Sequence, residues 1–280
     1  MNLLLPIVQN LASALSLLWV LTNLTFWLLL LLPLSVLRWL VPLPLVSKIC
    51  FVAVDFIYRQ AVRINSFWMQ RVMGIQLLID GEPNPHSAPI VICNHQSWFD
   101  IPILQELVTS EGPIIKFLIK RELVWVPVIG WICLALNFPR LYRGKDKSLR
   151  AVDYAMIQSA TESHGAKPGA LLVFPEGTRF TTKKHHLQAS PYSWLLKPKV
   201  GGLKIIKANT DPATHVMDVT IDYGPMPVNI WRCLHGQPSA IRVKIRYYAL
   251  AEIKDIQTWL NDRWEEKSEF LAASHCESTS

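Results

Sequence analysis

The chain has 280 residues, of which 51% are hydrophobic and 18% charged, and it carries a formal net charge of +7 at pH 7. That length accommodates one α/β domain together with an apolar anchoring segment, and one catalytic-size domain is the economical count. The five cysteines (Cys50, Cys93, Cys133, Cys233 and Cys276) are odd in number and lack a C-x-x-C pair, so neither a disulfide framework nor a zinc site is indicated.

Taken in chain order, no charged side chain precedes Arg38, and the run 11–32 is about as long as the roughly 20 apolar residues that a helix needs to cross a bilayer. A cleavable signal peptide would show a basic start, a shorter apolar core and a small-residue cleavage site, none of which is visible. Apolar character continues to Val54 but is broken at Pro33, Pro42 and Pro44. One transmembrane helix followed by a re-entrant or interfacial helix therefore fits, and so does a two-helix hairpin. Arg38, Lys48, Arg59, Arg63 and Arg71 all follow the run. The excess of basic residues on that side predicts that 1–73 anchor the chain in a membrane and that 74–280 face the cytoplasm. The basic surplus is assigned to a negatively charged leaflet rather than to nucleic acid, because no basic stripe interleaved with stacking aromatics is present.

Beyond residue 74, apolar runs alternate with amphipathic ones, the pattern of an α/β fold with a mixed sheet flanked by helices. Strands are predicted at 75–79, 90–93, 114–119, 133–138, 170–174, 216–222 and 241–248, and helices at 99–108, 149–163 and 256–271. The segment 123–132, with Trp125 and Trp131 around Pro127 and Gly130, has two readings. It lines an acyl channel or rests on a membrane, or it is a core helix whose aromatics simply pack. Lys183-Lys184-His185-His186 reads as a solvated loop without a metal, and 274–280 as a frayed polar end.

Two blocks carry chemistry. The predicted strand 90–93 runs into Asn94-His95-Gln96-Ser97-Trp98-Phe99-Asp100. A histidine held at one ring nitrogen by a carboxylate is a proton acceptor at the other, so His95 is the candidate base and Asp100 its orienter. The bland alternative is a satisfied histidine at a strand end. Cys93 invites a reading as a thiolate nucleophile, but within Pro89-Ile90-Val91-Ile92-Cys93 it fits better as a small apolar residue of a buried strand. The strand 170–174 runs into Phe174-Pro175-Glu176-Gly177-Thr178-Arg179. Gly177 permits close backbone approach and Arg179 can fork onto a phosphate. The alternative is a tight turn in which Glu176 and Arg179 pair with each other.

With both blocks in register, the chain resembles the glycerolipid acyltransferase family, whose PlsC-like members convert lysophosphatidic acid to phosphatidic acid. The resemblance covers roughly residues 75–250. The stretches Lys116-Phe117-Leu118-Ile119-Lys120-Arg121-Glu122-Leu123, Trp125-Val126-Pro127-Val128-Ile129-Gly130-Trp131, Phe138-Pro139 with Arg143, and Leu195-Leu196-Lys197-Pro198-Lys199 are similar to the YihG-like bacterial inner-membrane branch. The resemblance implies His95 and Asp100 as the catalytic pair, and Glu176, Gly177, Thr178 and Arg179 as the acceptor loop, with Arg143 as a further phosphate contact. It also implies acyl-CoA or acyl carrier protein as donor substrate, a lysophospholipid acceptor, a place in the inner membrane, and no cofactor. One departure stands out: where many members have a Val-Pro motif, this chain reads Val216-Met217-Asp218-Val219-Thr220-Ile221, which leaves acceptor choice open. A serine hydrolase would need a Gly-x-Ser-x-Gly elbow, which the sequence lacks, and a non-enzymatic membrane-surface protein would be indifferent to loss of His95.

Overall fold

The structure, a computed structural model, describes residues 4–83, 89–110, 112–142, 146–166, 169–225 and 228–277. Its strands are β1 (Gln76–Asp80), β2 (Ile90–Cys93), β3 (Ile115–Phe117), β4 (Ile119–Lys120), β5 (Arg140–Leu141), β6 (Ala170–Val173), β7 (His215–Asp222) and β8 (Ala240–Ala249). Six of them form a sheet in the order β1-β8-β7-β2-β6-β3, while β4 and β5 pair separately. Only β7 and β8 are antiparallel within that sheet, so it is mixed, as predicted. The helices are α1 (Leu4–Leu40), α2 (Pro44–Phe67), α3 (Asp100–Thr109), α4 (Ile129–Ala135), α5 (Lys147–Ala166), α6 (Thr182–Gln188), α7 (Gly201–Ala208), α8 (Ile230–Cys233) and α9 (Ile256–Glu277).

Every residue of β2 and β6 is buried, which suits their continuous apolar sequences and their central place in a sheet covered on both faces. Alternate residues feed two cores. Val91, Cys93, Leu172, Met217 and Val219 join one with Val54 and Ile57 of α2 and Ile103 and Leu104 of α3. Ile90, Ile92, Leu171, Val173 and Val216 join the other with Leu203 of α7 and Leu260 and Trp264 of α9. Because β2, β6 and β3 are parallel, the loops that leave their carboxyl ends share one edge, the usual position of a ligand site in an open α/β sheet.

At the N-terminus α1 and α2 pack together as a helical hairpin. Ser16 accepts from the Trp68 indole at 3.1 Å, and Asn23 donates to the Ala61 carbonyl at 3.0 Å and to Asn65 at 2.9 Å, a register that runs α1 and α2 antiparallel. α1 is long and apolar enough to cross a membrane, and its outer face exposes leucines from Leu4 to Leu40. Its inner face is nonetheless docked: Ser13 donates to the Trp231 carbonyl at 2.7 Å and meets His235 Nδ1 at 2.8 Å, while Leu31 lies in the main core. α2 is bolted to the sheet layer, with the Tyr58 hydroxyl donating to the Ile115 carbonyl at 3.1 Å and Arg59 to the Thr109 carbonyl at 2.8 Å.

Three local expectations are corrected. The segment 133–138 is not a strand: it holds the end of α4 and the turn that follows, burying Cys133 and Leu136, and a short apolar run in a helix cannot be told from a strand by composition. Lys183 to His186 form α6 rather than a loop, because Thr181 caps that helix by accepting from the Lys184 N–H at 3.2 Å. α7 escaped notice altogether; Leu203 and Ile206 give it a single buried stripe. At the chain end, α9 continues to Glu277.

The altered late motif lies in β7, and its Asp218 has a partner. Lys267 of α9 is 2% exposed and brings its Nζ to 2.5 Å from Asp218 Oδ1, 2.6 Å from the Val219 carbonyl and 2.9 Å from Thr220 Oγ1. Burial pushes the Asp218 carboxyl above its ordinary range, and Lys267 opposes that shift. Removing one member of such a pair strands the other charge, whereas replacing both with apolar residues is often neutral. Lys267→Ala is therefore expected to lower the unfolding free energy by about 3–5 kcal/mol. Urea titration of the detergent-solubilised protein measures the loss, and Asp218→Leu/Lys267→Met should recover most of it.

Candidate functional site

The first block is built outward from Asn94, which is fully buried where β2 ends. Its amide replaces a missing rung to β7, donating to the Ile221 carbonyl and accepting from the Ile221 N–H, each at 2.9 Å. That fixes the point at which the next residue leaves the sheet. Asp100 opens α3, and the turn brings its carboxylate back so that Oδ2 lies 2.7 Å from His95 Nδ1. The same oxygen accepts the N–H groups of Gln96 at 2.8 Å and Ser97 at 3.0 Å, and Oδ1 accepts the Tyr223 hydroxyl at 2.6 Å.

Asp100 has no exposed surface, whereas the His95 side chain is 13% exposed. A carboxylate facing Nδ1 assigns the proton to that nitrogen and leaves the lone pair on Nε2, which meets no hydrogen-bond partner among the described residues. Phe174 stacks on the imidazole at 3.9 Å between centroids and 15° between planes, blocking one ring face. Cys93 is fully buried, and burial together with the Asp100 charge pushes its thiol well above the ordinary range, so the strand reading of that residue holds.

The second block is laced to the first. Gly177 closes its turn at φ +70°, a backbone conformation that favours glycine, and donates to the Phe174 carbonyl at 2.9 Å. Glu176 is fully buried, accepting the His95 N–H at 3.1 Å on one oxygen and the Leu196 N–H at 3.2 Å on the other. The Phe180 N–H donates to the His95 carbonyl at 2.7 Å. Glu176 thus braces the histidine from behind; it neither pairs with Arg179 nor faces outward toward an acceptor. Burial pushes its carboxyl up to about 8, against the opposing effect of those two hydrogen bonds.

The outer surface of this loop is cationic. Arg179 is exposed and lays its guanidinium over the Trp98 ring at 4.8 Å. Lys184 reaches back from α6 to Thr178 Oγ1 at 2.7 Å and to the Arg179 carbonyl at 2.9 Å. Partial burial and the neighbouring Arg179 hold its ammonium below the ordinary range. Lys199 Nζ lies against Gly177, 3.2 Å from where a β-carbon would stand. His95, Asp100 and residues 176–179 are therefore brought together, and Arg143 lies outside the described residues. Lys184, Lys199 and Tyr223 were not foreseen as site residues. Lys184 was hidden in a supposed loop, although Thr181 is a helix-cap signal, while nothing local in the sequence marks Tyr223. The arrangement offers an oriented base beside an anion-binding surface.

The family model described as Acyltransferase matches residues 78–222, a span that contains both blocks. Lysocardiolipin acyltransferase 1 of Mus musculus is 27% identical over 229 residues, covering 72% of this chain and 58% of that protein. 1-acyl-sn-glycerol-3-phosphate acyltransferase 2 of Arabidopsis thaliana is 27% identical over 247 residues, covering 80% and 61% respectively. The chain thus spans about three-fifths of the length of these relatives. Among solved structures, the 1-acyl-sn-glycerophosphate acyltransferase PlsC of Thermotoga maritima shares the fold, with a TM-score of 0.59 at 18% identity over 95% of this chain and 98% of that one.

The Glu176 brace has a pH signature. A carboxyl raised from 4.5 to about 8 holds its proton more tightly in the folded state than in the unfolded one. Stability should therefore fall as pH rises through that window. Glu176→Gln cannot titrate, so its melting temperature should decline less than that of the parent between pH 5 and 8.5, followed by calorimetry in a fixed detergent. Parallel declines would contradict this.

Proposed function

Because the chain belongs to the Acyltransferase family, we propose that it transfers a fatty acyl group from acyl-CoA or acyl carrier protein to the free hydroxyl of lysophosphatidic acid, giving phosphatidic acid. The observation that carries this reading is the hydrogen bond between His95 Nδ1 and a buried Asp100, in a loop tied through Glu176 to a turn whose outer surface carries Arg179, Lys184 and Lys199. Relatives named for acylation of 1-acyl-sn-glycerol 3-phosphate support the acceptor class.

In this mechanism His95 Nε2 takes the proton of the acceptor hydroxyl as its oxygen attacks the thioester carbonyl carbon. Asp100, held by Gln96, Ser97 and Tyr223, stabilises the imidazolium that forms. The tetrahedral adduct collapses by breaking its C–S bond, and His95 returns the proton to the departing thiolate. An ester and a free thiol result, without an acyl-enzyme. A positioned base of this kind contributes about 10²–10⁴ in rate. Arg179, with Lys184 and Lys199, receives the acceptor phosphate, and Arg143 is a further candidate contact; Glu176 and Gly177 hold that surface in place.

A second reading keeps the chemistry and changes the acceptor to another lysophospholipid. It is favoured by the Met217-Asp218 substitution in β7 and by similarity to a relative named lysocardiolipin acyltransferase.

For location, we propose that the hairpin sits in the cytoplasmic leaflet of an inner membrane with the sheet domain in the cytoplasm; contacts of both Ser13 and Leu31, near either end of the apolar run, with the sheet domain support this reading.

In nanodiscs containing the protein, His95→Ala should abolish transfer from labelled acyl-CoA to lysophosphatidic acid while leaving the chain in the membrane fraction; retained turnover would sink the mechanism. Arg179→Ala should raise the KM for phosphate-bearing acceptors at least tenfold, in line with the loss of a charge-assisted hydrogen bond of about 1.5–3 kcal/mol. A KM that does not move would place the phosphate elsewhere.

A further inference from the structure

A second apolar surface lies outside the hairpin. After β4 the chain makes a short 3₁₀ turn (Arg121–Trp125), passes through Val126-Pro127-Val128 and enters α4. This knuckle is tightly built. The Val126 N–H donates to the Leu123 carbonyl at 3.0 Å, the Gly130 N–H to the Val126 carbonyl at 2.8 Å, and the Ile129 N–H to the Pro127 carbonyl at 2.8 Å. That last bond closes a turn around Val128, held at φ +66° and ψ −65°, a strained conformation for a β-branched residue. A β-carbon on Gly130 would run into the carbonyls of Leu123 and Val124. Such strain persists only where the surroundings over-determine it, and it marks segments held in one shape for a purpose.

The two sides of the knuckle differ. Inward, Cys133, Leu136 and Phe138 are buried in the main core, with Leu123, Val124 and Ile132 packed against it. Outward, Trp125 is 83% and Trp131 49% exposed, and Val126, Ile129 and Leu134 are exposed beside them. Aromatic and aliphatic side chains locked outward in a rigid turn need an apolar partner. Two facts on the molecule identify it. α4 packs against α1, the apolar helix whose own outer face exposes Leu29, Leu30 and Leu37, so the two surfaces adjoin. Tryptophan, with an apolar body and one N–H donor, suits the headgroup boundary of a bilayer. Five side chains on one turn also fall short of the roughly 800 Å² per partner of a stable protein interface.

We propose that the Trp125–Trp131 knuckle is a second membrane-contact element, seated in the lipid headgroup boundary beside the hairpin. It follows β3 and so stands at the carboxyl end of the parallel strands, as His95 and Glu176 do. Seating it would set the tilt of the sheet domain and turn the catalytic edge toward the bilayer, where a lipid acceptor resides. The contact itself does not depend on which acyl chemistry the site performs.

The test uses full-length protein in nanodiscs of phosphatidylethanolamine and phosphatidylglycerol. Cys50, Cys93, Cys133 and Cys233 are buried, so in a Cys276→Ser background a nitrobenzoxadiazole label can be placed at Trp125→Cys, with the labelled Cys276→Ser protein as the background control. Ala213→Cys, exposed ahead of β7 at the opposite end of the sheet, serves as the aqueous reference. The label at 125 should be quenched at least threefold more by shallow spin-labelled lipid than the label at 213, and correspondingly less by aqueous iodide. Equal iodide quenching at both sites would overturn the proposal. Protection at 125 that ignores spin-labelled lipid and grows with protein concentration would overturn it too, by showing a second copy on the knuckle. Circular dichroism of each labelled variant confirms that the fold is retained.

Discussion

A carboxylate removed entirely from water must be given donors, and Asp100 receives four: the imidazole of His95, the N–H groups of Gln96 and Ser97, and the hydroxyl of Tyr223. Meeting that demand organises the neighbourhood. The turn after β2 must fold back over the first residue of α3, and the end of β7 must lie close enough for Tyr223 to reach. Asn94, bonded twice to Ile221, keeps β2 and β7 in the register that makes this reach work. The proposed base, His95, is consequently fixed by backbone and sheet geometry rather than by a mobile side chain. A fixed base can act in the transition state without first being reorganised.

Glu176 is another buried carboxyl group at the site and has a different task. It receives only two N–H groups, from His95 and Leu196, and burial dominates its titration. Its work is mechanical: it ties the turn after β6 to the back of the histidine. The outer surface of the same turn is left to Arg179, Lys184 and Lys199, which remain accessible to a phosphate. One short loop therefore separates bracing inside from a cationic surface outside, where the proposed acceptor phosphate would bind. The hairpin and the adjoining Trp125 knuckle bring apolar surface to the same molecule, which fits the proposed acceptor, half lipid and half anion.

The contact between His95 and Asp100 and the turn after β6 were legible in the sequence because both depend on local spacing: four residues between His95 and Asp100, and an unbroken block from Phe174 to Arg179. Central strands were legible as well, since β2 and β6 are apolar throughout. Long-range pairings were not. Tyr223 is separated from Asp100 by 123 residues, and its hydroxyl finds the carboxylate only once β7 lies beside β2. Asp218 looked like damage to a motif until α9 supplied Lys267. Short helices were lost for another reason: α4, α6 and α7 each span two turns or so, too few residues for apolar spacing to declare a period. Glu176 shows a third limit, because spacing cannot say whether a loop carboxylate points out or in.

The central claim is that the Asp100 carboxylate makes His95 a base. Asp100→Asn tests it directly, since an amide keeps the shape and presents either a carbonyl oxygen or an N–H to Nδ1 without the charge. Single-turnover rates of acyl transfer should fall by about 10⁴, as when the carboxylate of a histidine pair is neutralised elsewhere. Lysophosphatidic acid binding, measured separately by equilibrium partition into the same nanodiscs, should stay within twofold of the parent. A single-turnover rate near that of the parent, with binding intact, would contradict the account.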